Sequence, residues 1–180
     1  MITGMRILKP ERLTDARGFF SETYNFQRLF KDGIEEVFVQ DNFSYSVAKG
    51  TLRGLHFQMP PFTQAKLVSC NRGTVFDVVV DARFHSPTFG QWHGEVLSRE
   101  NGLQIYVPVG CLHGFVTMEE HTEVNYKCSE YYNKDSSRSV KFNDAEIGIE
   151  WPIKSDLCIS RQDLNAVCFS EIRTVFEHLV

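Results

Sequence analysis

Alternating apolar and polar positions run through the middle of the chain and predict a series of short β-strands. In segment 75–81, the alternation puts Asp77 and Asp81 on one face and three apolar residues on the other. Eight segments of this kind, separated by polar residues or glycine, cover residues 37–42, 52–57, 65–70, 74–82, 91–97, 104–107, 113–117 and 123–128. Short strands at such spacing favour a sandwich or a barrel, and a jelly roll is the natural closed form. We therefore predict a mostly β fold whose barrel interior holds a ligand.

Two segments follow a helical period instead. Residues 25–33 begin with Asn25, a favourable N-cap, and end at Gly33, which predicts one short helix. Near the C-terminus, apolar residues recur every three or four positions from 164 to 179. This spacing predicts an amphipathic helix over about 163–179, packed on the outside of the β body. Since no repeat or linker divides the chain, we interpret its 180 residues as one domain.

Composition narrows the kind of partner. The net charge is −4 and no stretch forms a basic stripe, which argues against nucleic-acid binding. No apolar run approaches the length that spans a bilayer, and residues 1–6 lack the apolar core of a signal peptide. The five cysteines are odd in number and form no CxxC pair, which favours reduced thiols over a disulfide framework or a zinc site. Together these features predict a cytoplasmic protein that binds neither nucleic acid nor membrane.

The densest group of reactive side chains is the run RGLHFQ at 53–58, followed by Lys66. Strict alternation puts Arg53 beside Leu55 on one face of a strand and His56 on the other. Three groups able to carry positive charge are costly to bury in so apolar a stretch without an anionic or polar partner. A phosphorylated, carbonyl-bearing small molecule suits them, because arginine holds phosphate, histidine transfers protons near neutral pH and lysine stabilises a developing oxyanion. We therefore favour a functional role for His56 over a structural one.

A second informative stretch is PVGCLH at 108–113, a turn that returns a histidine into a strand. It resembles the second half-motif of cupins, which are jelly-roll barrels. The first half-motif of metal cupins carries a His-x-His pair and a glutamate, whereas this chain has His56-Phe57-Gln58. Too few ligands remain for the usual zinc or iron site, which predicts a metal-free cavity. His113 itself fits two interpretations equally: a buried histidine bonded to a neighbouring strand, or a residue that faces substrate.

Other polar and aromatic residues have ordinary structural interpretations when each is taken alone. Asp163 fits the N-cap of the last helix. Tyr126 fits a strand aromatic that fills the barrel, and Tyr132 fits an aromatic on its rim. Arg17 fits a solvated turn.

Longer blocks of the chain resemble one family strongly. The chain is similar to the dTDP-4-dehydrorhamnose 3,5-epimerases, which are cupin-type nucleotide-sugar epimerases of the rhamnose pathway. The matching blocks are DARGFFSE at 15–22, VQDN at 39–42, LRGLHFQ at 52–58, QAKLV at 64–68, FDVVVD at 76–81, SPTFGQW at 86–92, PVGCLHGF at 108–115 and IEWP at 149–152. Together they are highly specific, and they extend the resemblance over most of the chain.

The resemblance implies a reaction and its catalytic residues. The activity would be epimerisation of dTDP-4-dehydro-6-deoxy-D-glucose at C3 and C5 to dTDP-4-dehydro-L-rhamnose, without a metal or a cofactor. His56 matches the catalytic base and Asp163 the carboxylate that pairs with it. Tyr126 matches the acid on the opposite face of the sugar. Lys66 matches the group beside the C4 oxygen.

The resemblance also implies the groups that bind substrate. Arg17 and Arg53 match ligands of the diphosphate. Phe19 and Tyr132 match the pair that sandwiches the thymine, with Phe19 reaching in from the partner subunit of a homodimer that exchanges N-terminal strands. Three further residues fall in blocks that line the nucleotide and sugar site, namely Glu22, Gln40 and Asn42. His113 is counted with these substrate-binding residues.

Three alternatives stay open. The first is an epimerase that inverts only C3 or only C5, or one whose sugar is carried on a different nucleotide. The second is a sugar-nucleotide binding module without catalysis, against which the joint presence of His56, Asp163, Tyr126 and Lys66 speaks. The third is a metal-dependent cupin oxygenase, against which the missing His-x-His pair speaks.

Overall fold

A computed structural model describes residues 1–177 of the chain, and they form two facing sheets and a separate hairpin. The strands are β1 (Arg6–Leu8), β2 (Leu13–Asp15), β3 (Gly18–Phe20), β4 (Gln40–Ser46), β5 (Thr51–Gln58), β6 (Lys66–Arg72), β7 (Thr74–Asp81), β8 (Trp92–Ser98), β9 (Gln104–Val107), β10 (Cys111–Thr117), β11 (Thr122–Cys128), β12 (Ser137–Ser139) and β13 (Cys158–Ile159). All eight predicted segments overlap strands, although the first, 37–42, meets β4 only from Gln40 onward, so the prediction of a mostly β fold is confirmed.

The first sheet has five strands in the order β1-β9-β6-β11-β4, all antiparallel. The second has six, in the order β12-β5-β10-β7-β8, with β13 added in parallel to β5. The β2–β3 hairpin joins neither sheet. As predicted, Asp77 and Asp81 share one face of β7, and both are fully buried.

Three apolar clusters hold these layers together. One fills the space between the two sheets, and it includes Val68, Val79, Ile105 and Phe115. A second covers the outer face of the second sheet, where residues of the C-terminal region pack on β5, β7 and β10. The third lies outside the first sheet, under the short helix. Burying both faces of the second sheet leaves the polar side chains between the sheets as the place for a site.

The predicted N-terminal helix is confirmed as α1 (Phe26–Lys31). The Asn25 side chain accepts a hydrogen bond from the amide of Arg28 at 3.2 Å, as an N-cap does. Gly33 follows the helix with φ +81°, a left-handed conformation that glycine adopts without steric cost. Among residues 1–177, no helix is both long and apolar enough to cross a membrane.

The predicted C-terminal helix over 163–179 is wrong in form. The region instead contains α2 (Arg161–Leu164) and a separate 3-10 helix (Phe169–Ile172), while positions 178–179 lie outside the described residues. Val167 interrupts any continuous helix, because it forms a bridge with Val140 and accepts a hydrogen bond from Lys141. The apolar residues nevertheless pack on the outside of the β body, as expected: the ring of Phe176 lies 5.4 Å from that of Phe57.

Candidate active site

Two compartments lie between the sheets and share a wall formed by His56, Lys66 and Tyr126. The first has a volume of about 390 Å³, and the second about 330 Å³. The first is lined by Gln40, Asn42, His56, Phe57, Gln58, Gln64, Lys66, Tyr126, Cys128, Tyr132, Ser137 and Gln162. The second is lined by Phe43, Ser44, Tyr45, Arg53, His56, Lys66, His113, Phe115 and Tyr126. These volumes suit a small molecule.

A bulge in β5 brings Arg53 and His56 to the same side of the strand. On β10, His113 pairs with His56 and Phe115 pairs with Arg53, so one residue of β10 faces two of β5. The extra residue reverses the alternation, and Arg53 lines the second compartment together with His56. The predicted sharing of one face by Arg53 and Leu55 is therefore wrong, because Leu55 lies in the apolar cluster on the other side.

The predicted partner of His56 is in contact with it. Nε2 of His56 lies 2.7 Å from Oδ1 of Asp163, which is only 3% exposed. Ser139 Oγ donates to the same carboxylate oxygen at 3.2 Å, and the amide of Gly54 donates to Oδ2 at 3.4 Å. The carboxylate is thus bonded on both oxygens, and its position relative to the imidazole is determined by two strands and a helix.

Asp163 is not the N-cap of α2. Ser160 caps that helix, because its hydroxyl accepts from the amide of Asp163 at 3.1 Å. Burial alone would raise the pKa of Asp163, but the hydrogen bond and charge of His56 and the Gly54 amide outweigh it and hold the pKa below its ordinary value. An ionised carboxylate can only accept, so Nε2 of His56 carries a proton. In the neutral ring, Nδ1 is therefore the basic nitrogen.

Lys66 begins β6 and is 8% exposed, with its side chain lining both compartments. Burial lowers its pKa, and electrostatic interactions with Cys128 and Asp77 counter this in part. An ammonium group with so little water around it stabilises a nearby oxyanion more than an exposed one does.

Tyr126 projects from β11 into both compartments. Burial is the main cause that raises the pKa of its phenol, and the nearby Arg53 opposes this in part. The hydroxyl is therefore protonated at neutral pH and is able to donate a proton to a strong base. His56 and Tyr126 thus share one cavity, in which the imidazole offers a nitrogen that accepts a proton and the phenol a proton to donate.

His113 is bonded to a neighbouring strand and also lines the cavity, so the first interpretation is met and contact with substrate stays a prediction. Its Nε2 lies 2.9 Å from Oδ2 of Asp77 on the neighbouring strand β7, and its side chain lines the second compartment. Both residues are buried. This forms a second histidine–carboxylate pair beside the same cavity.

The other predicted binding residues divide into two groups. Arg53, Gln40, Asn42 and Tyr132 line the cavity. Arg53 is held by Ser46 Oγ at 3.3 Å and by the carbonyl of Tyr45 at 3.2 Å.

Arg17, Phe19 and Glu22 lie outside the cavity of their own chain. Arg17 is exposed and pairs with Asp15 at 2.6 Å. Phe19 lies under the guanidinium of Arg12, 4.4 Å from the ring centre. Glu22 pairs with Arg28 at 3.1 Å.

Some residues in or beside the cavity had no role in the predictions from sequence. Asp77, which bonds His113 from behind the cavity wall, was predicted only to share a strand face with Asp81, and that alternation was the available signal. Cys128 lies beside Lys66, and the pKa of its thiol is raised mainly because the side chain is buried. Among residues 1–177, no three histidine, cysteine or acidic side chains come together in a way that could hold a metal ion.

The chain is similar to known proteins over nearly its whole length. The family model for dTDP-4-dehydrorhamnose 3,5-epimerase matches residues 1–171. The dTDP-4-dehydrorhamnose 3,5-epimerase of Salmonella typhimurium strain LT2 is 49% identical over 167 residues, which cover 92% of this chain and 90% of that protein.

Solved structures agree with this likeness. The crystal structure of dTDP-4-dehydrorhamnose 3,5-epimerase from Bacillus anthracis strain Ames, with TDP and PPi bound, has a TM-score of 0.90 and 46% identity and covers 92% of this chain and 94% of that one. A second structure is that of dTDP-6-deoxy-D-glucose-3,5-epimerase from Legionella pneumophila Philadelphia 1 in complex with dTDP-4-keto-L-rhamnose. It has a TM-score of 0.90 and 44% identity, and the match covers 93% of this chain and 89% of that one. The predicted cupin-like fold is thereby confirmed. The chain belongs to the dTDP-4-dehydrorhamnose 3,5-epimerase family of enzymes, as the sequence predicted.

Proposed function

We propose that the cavity between the two sheets epimerises dTDP-4-dehydro-6-deoxy-D-glucose at C3 and C5 to give dTDP-4-dehydro-L-rhamnose. Membership of the family supports the reaction. One observation supports the assignment of catalytic roles: His56, Lys66 and Tyr126 line one cavity. In addition, His56 is bonded to the buried Asp163. A base, an acid and a cation around one cavity are what inversion next to a ketone requires.

His56 acts as the base. A C–H next to a ketone is a weak acid, so the base must be neutral and close to the carbon. Asp163 accepts from Nε2 and leaves Nδ1 to take the proton, and its negative charge then stabilises the imidazolium.

Lys66 stabilises the enolate. Removal of the proton moves negative charge onto the C4 oxygen, and the buried ammonium group stabilises that charge as it forms. The scarcity of water strengthens the interaction.

Tyr126 returns a proton from the other face. Reprotonation by the residue that removed the proton tends to restore the original centre, whereas a second residue on the opposite face inverts it. The raised pKa of Tyr126 keeps the phenol protonated until the enolate takes its proton.

Arg53 binds the diphosphate, and His113 contributes a further polar contact from the second compartment. Gln40, Asn42 and Tyr132 receive the nucleoside in the first compartment. A ring such as that of Tyr132, exposed at the cavity mouth, offers a stacking surface for a base.

We further propose a homodimer in which the partner supplies Arg17, Phe19 and Glu22. The β2–β3 hairpin supports this, because it joins neither sheet of its own chain and exposes the apolar side chains of Leu13 and Phe20. Chains carrying His56→Ala mixed with chains carrying Arg17→Ala test it. With exchange, each mixed dimer contains one intact site of two. Random 1:1 mixing makes about half of the dimers mixed, so the mixture recovers about a quarter of the parental activity. Without exchange, every site carries a defect and activity stays absent.

No metal and no cofactor take part in this scheme, because moving a proton from one face to the other involves no net oxidation or reduction. Gln58, at the position of a metal cupin's second histidine, instead bonds main-chain groups through both ends of its carboxamide. Activity that survives chelation, in protein that metal analysis shows to be metal-free, would support this part. Metal-dependent activity would favour the metal-dependent cupin alternative. The five thiols are free, in keeping with the proposed cytoplasmic location.

NMR of dTDP-4-dehydro-6-deoxy-D-glucose incubated with the protein in D₂O tests the reaction. Deuterium at both C3 and C5 with inverted configuration is the expected result. Deuterium at one carbon would instead assign a mono-epimerase, since the catalytic residues alone do not determine how many centres invert. Binding without deuterium at either carbon would favour the non-catalytic module.

A further inference from the structure

Three glutamine side chains hold the main chain of the segment 130–133 at the cavity mouth. Gln64 Nε2 donates to the carbonyl of Glu130 at 2.7 Å. Gln58 Nε2 donates to the carbonyl of Tyr131 at 3.1 Å. Gln40 Oε1 accepts from the amide of Tyr132 at 2.8 Å, and Gln58 Oε1 from that of Asn133 at 2.7 Å. Each residue of the segment is therefore bonded through its main chain to a glutamine that lines the cavity.

Gln58 has the central place among them. It is 5% exposed, and besides its two bonds to the segment it donates to the carbonyl of Phe62 at 2.6 Å. Its carboxamide thus joins two rim loops, and both of its N–H groups and its oxygen have partners. Two donors and one acceptor on one planar group are available from a carboxamide but not from a carboxylate.

The side chains of the segment have little packing of their own. Tyr131 is 63% exposed and Tyr132 61% exposed, so apolar contacts do little to orient their rings. Their orientation depends on the main chain that carries them, and that main chain is held by the glutamines. A binding group that is ordered beforehand loses less entropy when its ligand arrives.

We infer that Gln58 is a positioning residue for nucleotide recognition, because its carboxamide sets the main chain that presents Tyr132 at the cavity mouth. The inference rests on the proposed function in one respect, that the nucleoside end of the substrate lies at this mouth. Gln58 acts through the segment and takes no part in the chemistry at the sugar.

The substitution Gln58→Glu tests this with almost no change in shape. Glutamate still accepts from the Asn133 amide but no longer donates to the carbonyls of Tyr131 and Phe62. We expect the Kd for dTDP and the KM for the dTDP-linked ketosugar to rise about tenfold, with kcat within about threefold of the parent. Gln64→Glu removes one donated bond and should raise the same Kd by about threefold. Gln91→Glu makes the same chemical change at an exposed position outside the cavity and should leave Kd unchanged.

A truncated substrate separates positioning from general damage. With 4-keto-6-deoxyglucose 1-phosphate, which has no base for Tyr132 to receive, Gln58→Glu and the parent should have equal kcat/KM. Equal losses on both substrates, or an unchanged Kd for dTDP, would overturn the inference. If Gln58→Glu fails to fold, as judged by circular dichroism, the half-buried Gln64 gives the decisive variant. Absence of any C3 or C5 exchange in the parent would refute the proposed reaction, whereas the dTDP titrations would still decide the role of Gln58.

Discussion

Arg53 and His56 line the same compartment although they are three positions apart on β5. In a regular strand, residues at that spacing point to opposite faces. The bulge opposite Gly114 supplies the extra residue that reverses the alternation. One distortion of a strand therefore places the proposed phosphate ligand and the proposed base in one cavity.

The bulge should depend on glycine at position 54. Gly54 has φ +121°, and a Cβ there would lie 2.7 Å from Cα of Gly114 and 2.8 Å from the carbonyl oxygen of His113. Both contacts are with main chain, so we expect Gly54→Ala to lower the free energy of unfolding in urea by about 2–4 kcal/mol. Gly18→Ala is the matched control, since Gly18 has φ +127° but nothing within 4 Å of its Cβ position. Equal losses in the two variants would show that strand proximity is not the cause.

Removal of the proposed base should stop proton exchange. In His56→Ala, the rate of deuterium incorporation at C3 and C5 should fall about 10²–10⁴-fold, as measured by NMR in D₂O. His85→Ala, at an exposed position outside the cavity, should retain the parental rate. Exchange that persists in His56→Ala would mean that another group removes the protons.

Tyr126→Phe should separate exchange from inversion. The ring remains and only the hydroxyl is lost, so His56 can still remove and return protons on its own face. We expect some deuterium incorporation to persist while formation of the inverted product falls about 10²-fold. Tyr24→Phe serves as the control, because Tyr24 packs on Phe38 away from the cavity. Full epimerisation by Tyr126→Phe would refute the acid role.

Lys66→Met should slow exchange by about 10²–10³-fold, because it removes the cation that stabilises the enolate. Burial lowers the pKa of Lys66, so the parental rate should begin to fall with rising pH below the ordinary lysine value of about 10.4. That alkaline fall should be missing from the residual rate of Lys66→Met. The exposed Lys154→Met should keep both the rate and the profile. An unchanged exchange rate in Lys66→Met would contradict the role.

Asp163 should contribute stability that disappears in acid. Its folded pKa lies below the unfolded value of about 3.9, so its contribution is complete above about pH 5 and is lost as the pH falls toward the folded value. The free energy of unfolding of the parent minus that of Asp163→Asn should therefore shrink as the pH falls below about pH 4. Urea titrations across this range measure it. A difference that grows in acid would mean that the pKa is not lowered in the folded state.

Much of the fold was predictable because the signal is local. Strand alternation and the Asn25 cap each involve a few neighbouring residues, and the structure confirms them. The same local reasoning failed near the C-terminus, where apolar residues at helical spacing suggested a helix. There the pairing of Val167 with Val140, far away in sequence, decides the local conformation.

The sequence indicated which residues to expect in the candidate site, but not how those residues are arranged. Resemblance to a family indicated His56, Lys66, Tyr126 and Asp163, and the structure brings these four residues together. The resemblance also indicated that Phe19 reaches into a partner's site. It gave no such indication for Arg17 and Glu22, which lie outside their own chain's cavity as well, since that depends on how the N-terminal segment packs.

By itself, the sequence determined the strands, the family and the kinds of reactive group, because these follow from short-range periodicity and from the identity of side chains. Tertiary structure alone decided which of those groups meet. The bulge in β5 exists only through pairing with β10, and the bond between His56 and Asp163 spans 107 positions of the chain. Distances of this kind are set by packing between distant segments, which no local pattern encodes.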